Sequence, residues 1–158
     1  MRSNLLDITL LLLHAGLVAA GKKVPGDNPL SLCSRNPAED ILQIEELNLS
    51  PNPVPRNGTL VFKARGRVTQ AIEKGALVEV EAWEGNESVL DETFDLCDDL
   101  EWISDEECTP KEGVFSVSKK IVIEDDDLPD GAFSMRVDVK TAGGQQITCL
   151  TGEFKSSE

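Results

Sequence analysis

A chain of 158 residues with a formal net charge of −14 has the length of one ordinary domain. It is too acidic to coat a nucleic acid or to stay tightly on an anionic membrane, since both need clustered Lys or Arg. Its only histidine is His14 and it has no tyrosine, which leaves few groups for acid–base chemistry near neutral pH.

Residues 1–4 contain Arg2, and residues 5–20 form an apolar run ending in Val18-Ala19-Ala20, small residues of the kind a signal peptidase reads. Asp7 and His14 interrupt that run, whereas a membrane span wants about 20 uninterrupted apolar residues. Residues 1–20 are therefore expected to be a secretory signal. Its removal takes away His14, so Ser-His-Asp, Cys-His and His-zinc sites are excluded from the exported chain. Arg2 and Asp7 leave together, and the charge stays at −14. Residues 21–32, rich in Gly, Pro and Lys, read as a mobile tail or pro-segment ahead of a domain over residues 33–158.

From Asp40 onward the pattern alternates with period two. Leu42 and Ile44, then Leu47 and Leu49, show a one-residue slip that predicts a bulge, and Pro51, Pro53 and Pro55 force a loop. Over residues 59–68, Leu60, Phe62, Ala64, Gly66 and Val68 share one face, with Lys63, Arg65 and Arg67 on the other. Val78, Val80 and Ala82 alternate toward a turn at Gly85-Asn86, and residues 89–96, containing Phe94, give the next strand. Phe115, Val117, Ile121 and Ile123 share a face after Gly113, with Lys119 intruding on the same parity. Leu128-Pro129-Asp130-Gly131 signals a turn. Phe133, Met135, Val137 and Val139 then alternate, Gly143-Gly144 closes a hairpin in which both can take positive φ, and residues 147–154 form the last strand. Seven or eight short strands predict an all-β, antiparallel sandwich.

Cys33, Cys97, Cys108 and Cys149 are an even set in an expected exported chain, so disulfides are expected. Four cysteines permit three pairings. Cys97 with Cys108 is the easiest local loop to close, leaving Cys33 with Cys149, with chain-entropy contributions of roughly 3 and on the order of 4 to 5 kcal/mol respectively. A metal site lacks both C-x-x-C spacing and histidine. Asn48, Asn57 and Asn86 begin N-x-S/T sequons; Pro51 should impair the first, leaving Asn57 and Asn86 as glycosylation candidates. Acids concentrate in residues 95–107 and 124–127, but neither stretch has the ligand order of an EF-hand loop, and solvated loops are expected.

Cys33, the run Leu42-Gln43-Ile44-Glu45-Glu46-Leu47-Asn48-Leu49-Ser50-Pro51, the stretch Asp91-Glu92-Thr93-Phe94-Asp95-Leu96-Cys97, Cys108-Thr109-Pro110-Lys111-Glu112-Gly113 and Ile147-Thr148-Cys149-Leu150 together resemble the ML domain. This is the MD-2-related lipid-recognition family, with its fungal phosphatidylglycerol/phosphatidylinositol transfer branch and its Niemann-Pick C2-like members. The resemblance runs from about residue 31 to 154 and lies in the order and spacing of the segments. It implies an immunoglobulin-like sandwich with a lipid between its sheets and the same disulfide pairing; no enzyme is expected, because the residues offer no catalytic site. The third bridge of sterol-carrying animal relatives is absent, and the proline-rich segment stands in its place.

Transfer of a phospholipid between membranes is the expected function, with brief membrane visits, a monomeric state, and a secreted, vacuolar or endolysosomal destination. Candidate slot residues are Phe62, Ala64, Gly66, Val80, Phe94, Phe115, Val117, Ile121, Phe133, Met135 and Val137, with Ala64 and Gly66 leaving space. Any sandwich needs such residues as dry core, so each has that alternative reading. Lys63, Arg65 and Arg67 are candidate headgroup ligands, or else a solvated face. A carboxylate-pair enzyme, a sterol carrier and a lipid-presenting accessory protein are the rival functions. No cofactor, metal or nucleic acid is expected.

Overall fold

The computed structural model of the chain describes residues 21–98, 108 and 110–156. The expected signal, residues 1–20, and residues 99–107 of the acidic stretch lie outside them. Eight strands are β1 (Leu30–Leu32), β2 (Leu42–Ser50), β3 (Gly58–Val68), β4 (Leu77–Glu84), β5 (Glu87–Asp95), β6 (Gly113–Ile123), β7 (Ala132–Lys140) and β8 (Gln146–Lys155). They form a five-stranded sheet ordered β1-β8-β7-β4-β5 and a three-stranded sheet ordered β2-β3-β6, with every pairing antiparallel.

The period-two pattern decides these strands because successive side chains point to opposite faces. The slip between Ile44 and Leu47 is realised as a register shift between Ile44 and Glu46 against β3. The Pro-rich residues leave the sheet as a loop that buries Val54. In the last hairpin only Gly144 takes a positive φ, 86°. The turn closes through Gly144 N–H donating to Thr141 O, so one left-handed residue suffices where two were expected.

The two disulfides are Cys33–Cys149 and Cys97–Cys108, with Cα separations of 4.9 and 5.2 Å. The first ties the chain ahead of β2 to the outward side of β8, where Cys33 N–H also donates to Cys149 O at 2.9 Å.

Residues 21–32, whose composition reads as a mobile tail or pro-segment, pack against the domain. Val24 is 1% exposed and packs with Leu30 into the core. Pro25 O and Asp27 O accept hydrogen bonds from Leu47 and Leu49 N–H, both at 2.9 Å, covering the free edge of β2. The buried Asn28 amide donates to Leu47 O at 2.8 Å and accepts from Leu30 N–H at 2.8 Å. At Gly26, with φ 110°, an added Cβ would stand 2.2 Å from Leu47 O, so glycine is required for the close approach. The segment's Gly and Pro therefore serve tight turns against β2 and β8.

Across the outward face of the larger sheet, Asp138 is buried and accepts hydrogen bonds from Gln146, Lys140 and Arg136 at 2.6, 3.0 and 3.1 Å. Burial pushes its carboxyl up, but the hydrogen bonds from Gln146 and Lys140 and the charges of Lys140 and Arg136 outweigh it and hold the pKa below 3.8. A depressed folded-state pKa stabilises the fold above the unfolded value and loses that contribution as pH falls through the folded one. Asp138→Asn is thus expected to show a shallower loss of melting temperature below about pH 4 than the parent chain, by thermal unfolding across pH. Parallel curves would show that another group governs the acid limb.

Candidate functional site

Two groups of buried residues lie at opposite ends of the sandwich. One contains Val24, Leu47, Leu49, Leu60, Phe133 and Phe154, where β7 begins and β8 ends. The other contains Ile41, Val68, Ile72, Ala76, Val139 and Ile147, where β7 ends and β8 begins. The inward positions Phe62, Val117 and Ile121 on the smaller sheet and Val80, Met135 and Val137 on the larger are apolar yet only partly buried, and all but Val80 pack against one of the two clusters. A close-packed sandwich interdigitates its inner faces across about 10 Å and leaves such central residues dry.

The topology explains the difference. The three-stranded sheet cannot cover five strands. β2 of the smaller sheet comes close to β8 of the larger. Residues 21–32 seal the β2–β8 side. The opposite side is bounded by two edge strands, β5 and β6.

Register puts the candidate slot residues on the two inward faces. On the smaller sheet, Leu60, Phe62, Ala64 and Gly66 pair with Ile121, Lys119, Val117 and Phe115. On the larger, Val137 stands between Val80 and Leu150, and Val80 neighbours Glu92 of β5. Several candidates do other work, however. Phe133 is buried and stacks on Phe154 with ring centroids 5.3 Å apart, so it belongs to the packed end. Gly66 does not leave open space: an added Cβ would lie 2.3 Å from Gln43 O and 2.7 Å from the Phe115 ring. That glycine admits the ring and the β2 backbone. Ala64 is buried, whereas Phe94, 37% exposed, stands on the β5 edge.

Lys63, Arg65 and Arg67 are exposed on the outward face of β3, turned away from the gap, with Arg65 3.2 Å from Glu46. They are not assembled around the inward apolar surface. Lys119 is the cation that is: it shares the inward parity of β6 with Val117 and Ile121 and is half-buried. Its odd place in the alternation was the sequence signal for it. Glu92 holds the matching inward position on β5, across Val80. Of the sequons, Asn57 and Asn86 are exposed, while Asn48 is engaged with Asp27 N–H and Glu46, both at 2.8 Å.

Arranged this way, the inward faces carry partly exposed apolar surface, and the edge strands β6 and β5 hold Lys119 and Glu92 at inward register positions. Burying a flexible hydrocarbon there removes about 0.8 kcal/mol of hydration cost per methylene, while a charged head stays wet at the edge.

Comparison with known proteins agrees on sequence and fold. Residues 27–156 match the family described as the ML domain. The phosphatidylglycerol/phosphatidylinositol transfer protein of Pyricularia oryzae is 36% identical over 133 residues, covering 84% of this chain and 74% of its own length. The protein of the same name from Emericella nidulans is 37% identical over 134 residues, covering 85% and 78%. Among solved structures, chicken MD-1 complexed with lipid IVa superposes with a TM-score of 0.57 at 15% identity, over 85% of this chain and 96% of that one. A Niemann-Pick type C2 protein from the Japanese carpenter ant gives 0.50 at 12% identity, over 87% and 96%. These likenesses bear on the fold alone.

Proposed function

Since the chain belongs to the ML domain family, we propose that it binds a phospholipid between its two sheets and transfers it between membranes, as its curated relatives are named for doing with phosphatidylglycerol and phosphatidylinositol. The observation that carries this reading is the row of half-buried apolar residues in mid-sandwich, Phe62, Val117, Ile121, Val80, Met135 and Val137, between two fully packed ends. An acyl chain laid against them removes the exposed apolar surface of both partners, making extraction from a bilayer nearly neutral in free energy. The head group stays at the β5–β6 edge, where the Lys119 ammonium meets the phosphate. Phe94 lines the exit.

In this reading no residue acts as a catalyst. The protein works as a monomer in the secretory pathway, in a lumen or in the medium, where its two disulfides persist and Asn57 and Asn86 are open to glycosylation. The test is organic extraction of protein purified from its native host, followed by lipid mass spectrometry. A stoichiometric phospholipid is expected. A lipid-free preparation that also takes up no labelled phospholipid from vesicles would sink the carrier reading, and a sterol in the extract would replace the cargo.

A further inference from the structure

The charge of −14 is unevenly spread over the two sheets. β4 and β5 carry Glu79, Glu81, Glu84, Glu87, Asp91, Glu92 and Asp95 with no lysine or arginine. The three-stranded sheet is the reverse. Its outward face presents Lys63, Arg65 and Arg67 on β3 and Lys120 on β6, all exposed, and the only carboxylates in its strands are Glu45 and Glu46 of β2. Alternate residues along a strand put the β3 cations about 7 Å apart in a row. Opposite them on β6 are Ser118, Ser116 and Val114, side chains too short to screen the cations. Arg65 is paired with Glu46, whereas Lys63, Arg67 and Lys120 have no ion pair among the described residues. Val114 and Val122, 67% and 70% exposed, project from the same side of β6.

We propose that this outward face of β3 and β6 is a docking surface for an anionic phospholipid bilayer. The inference rests on the carrier reading and adds where the carrier meets the membrane. Three physical points favour a bilayer. A row of exposed cations, of which only Arg65 is ion-paired among the described residues, with flanking apolar side chains matches an interface of phosphates over hydrocarbon. The acidic strands β4 and β5 belong to the other sheet, so a bilayer on the outward face of β3 and β6 meets the cations at contact and the carboxylates of β4 and β5 only across the thickness of the sandwich. Finally, β6 is both the edge of this face and one lip of the open side, so docking brings the bilayer to Lys119 and the gap. Glu112 and the acidic turn at residues 124–127 border the face at the ends of β6, which fixes its orientation and keeps the contact weak and reversible.

The test compares the parent protein, K63Q/R67Q/K120Q, and a charge-matched control, K22Q/K74Q/K155Q, whose lysines are exposed elsewhere. Each is floated with phosphatidylcholine vesicles with and without phosphatidylglycerol, at low and high salt. Each is also offered a water-soluble, short-chain fluorescent phosphatidylglycerol without vesicles. Each cation near an anionic surface strengthens binding about fivefold, so the face variant should lose on the order of a hundredfold in partition to phosphatidylglycerol vesicles. The parent and control should bind in a salt-sensitive manner, and all three should load the soluble lipid equally. Equal flotation of parent and face variant overturns the proposal, as does an equal loss in the control, which would mean that net charge alone matters. Failure of the folded face variant to load soluble lipid also overturns it, since the cations would then hold the ligand. A parent protein that floats but loads nothing supports docking and removes the carrier reading instead.

Discussion

Val137→Trp is expected to abolish phospholipid transfer while leaving thermal unfolding nearly unchanged. Val137 lies mid-strand in β7, with Val80 of β4 on one side and Leu150 of β8 on the other, and it remains only partly buried. An indole there projects into volume that an acyl chain would occupy. In a close-packed core the same substitution costs typically about 1–3 kcal/mol through overpacking, which for a domain of this size is a fall of several degrees in melting temperature. A gap with room for a lipid absorbs the ring at a cost below about 1 kcal/mol. Transfer of a fluorescent phospholipid between vesicles and unfolding of the lipid-free protein, measured on one preparation, separate the cases. Lost transfer with retained stability is the expected result. A large fall in melting temperature would mean that the centre is dry core, and unchanged transfer would place the lipid elsewhere.

Removal of residues 21–29 should cost on the order of 5 kcal/mol, a large part of a typical domain's stability of about 5–15 kcal/mol. Losing the buried Val24 side chain costs about 1.5–3 kcal/mol. Breaking the Asn28 bonds to Leu47 O and Leu30 N–H adds about 1 kcal/mol each. The Leu47 and Leu49 N–H groups lose Pro25 O and Asp27 O and turn to water. Denaturant unfolding of the shortened chain gives the loss directly, and the amino terminus of protein secreted by the native host checks the corollary that residues 21–32 stay attached. A natural product beginning near residue 33 with undiminished stability would restore the pro-segment reading.

The contrast between that composition and this packing has a physical cause. Gly26, Pro25 and Pro29 have the composition of a flexible leader, and nothing in a local window reveals that Pro25 O and Asp27 O meet the edge of β2 some twenty residues later. The headgroup cations are a similar case. Alternation correctly placed Lys63, Arg65 and Arg67 opposite Phe62, Ala64 and Gly66, but a row of cations that faces away from the gap cannot hold a head group inside it. Lys119 carried the opposite signal, a charge on an apolar parity, and it is the cation that reaches the inward face.

What the sequence determined by itself is whatever depends on neighbours along the chain. Strand positions follow from the period of two, the β2 bulge from a single slip, and the turn at Gly131 from its local dipeptides. The pairing of Cys97 with Cys108 follows from a short loop, which leaves Cys33 for Cys149. The tertiary structure decided what depends on two surfaces at once. Parity assigns Phe133, Gly66 and Val137 to one class of inward residues, yet Phe133 stacks on Phe154, Gly66 lies under the Phe115 ring, and Val137 stays only partly buried. Whether an inward side chain meets a partner is set by the strand count and order of the opposing sheet. Three strands stand against five, and only the assembled fold contains that mismatch.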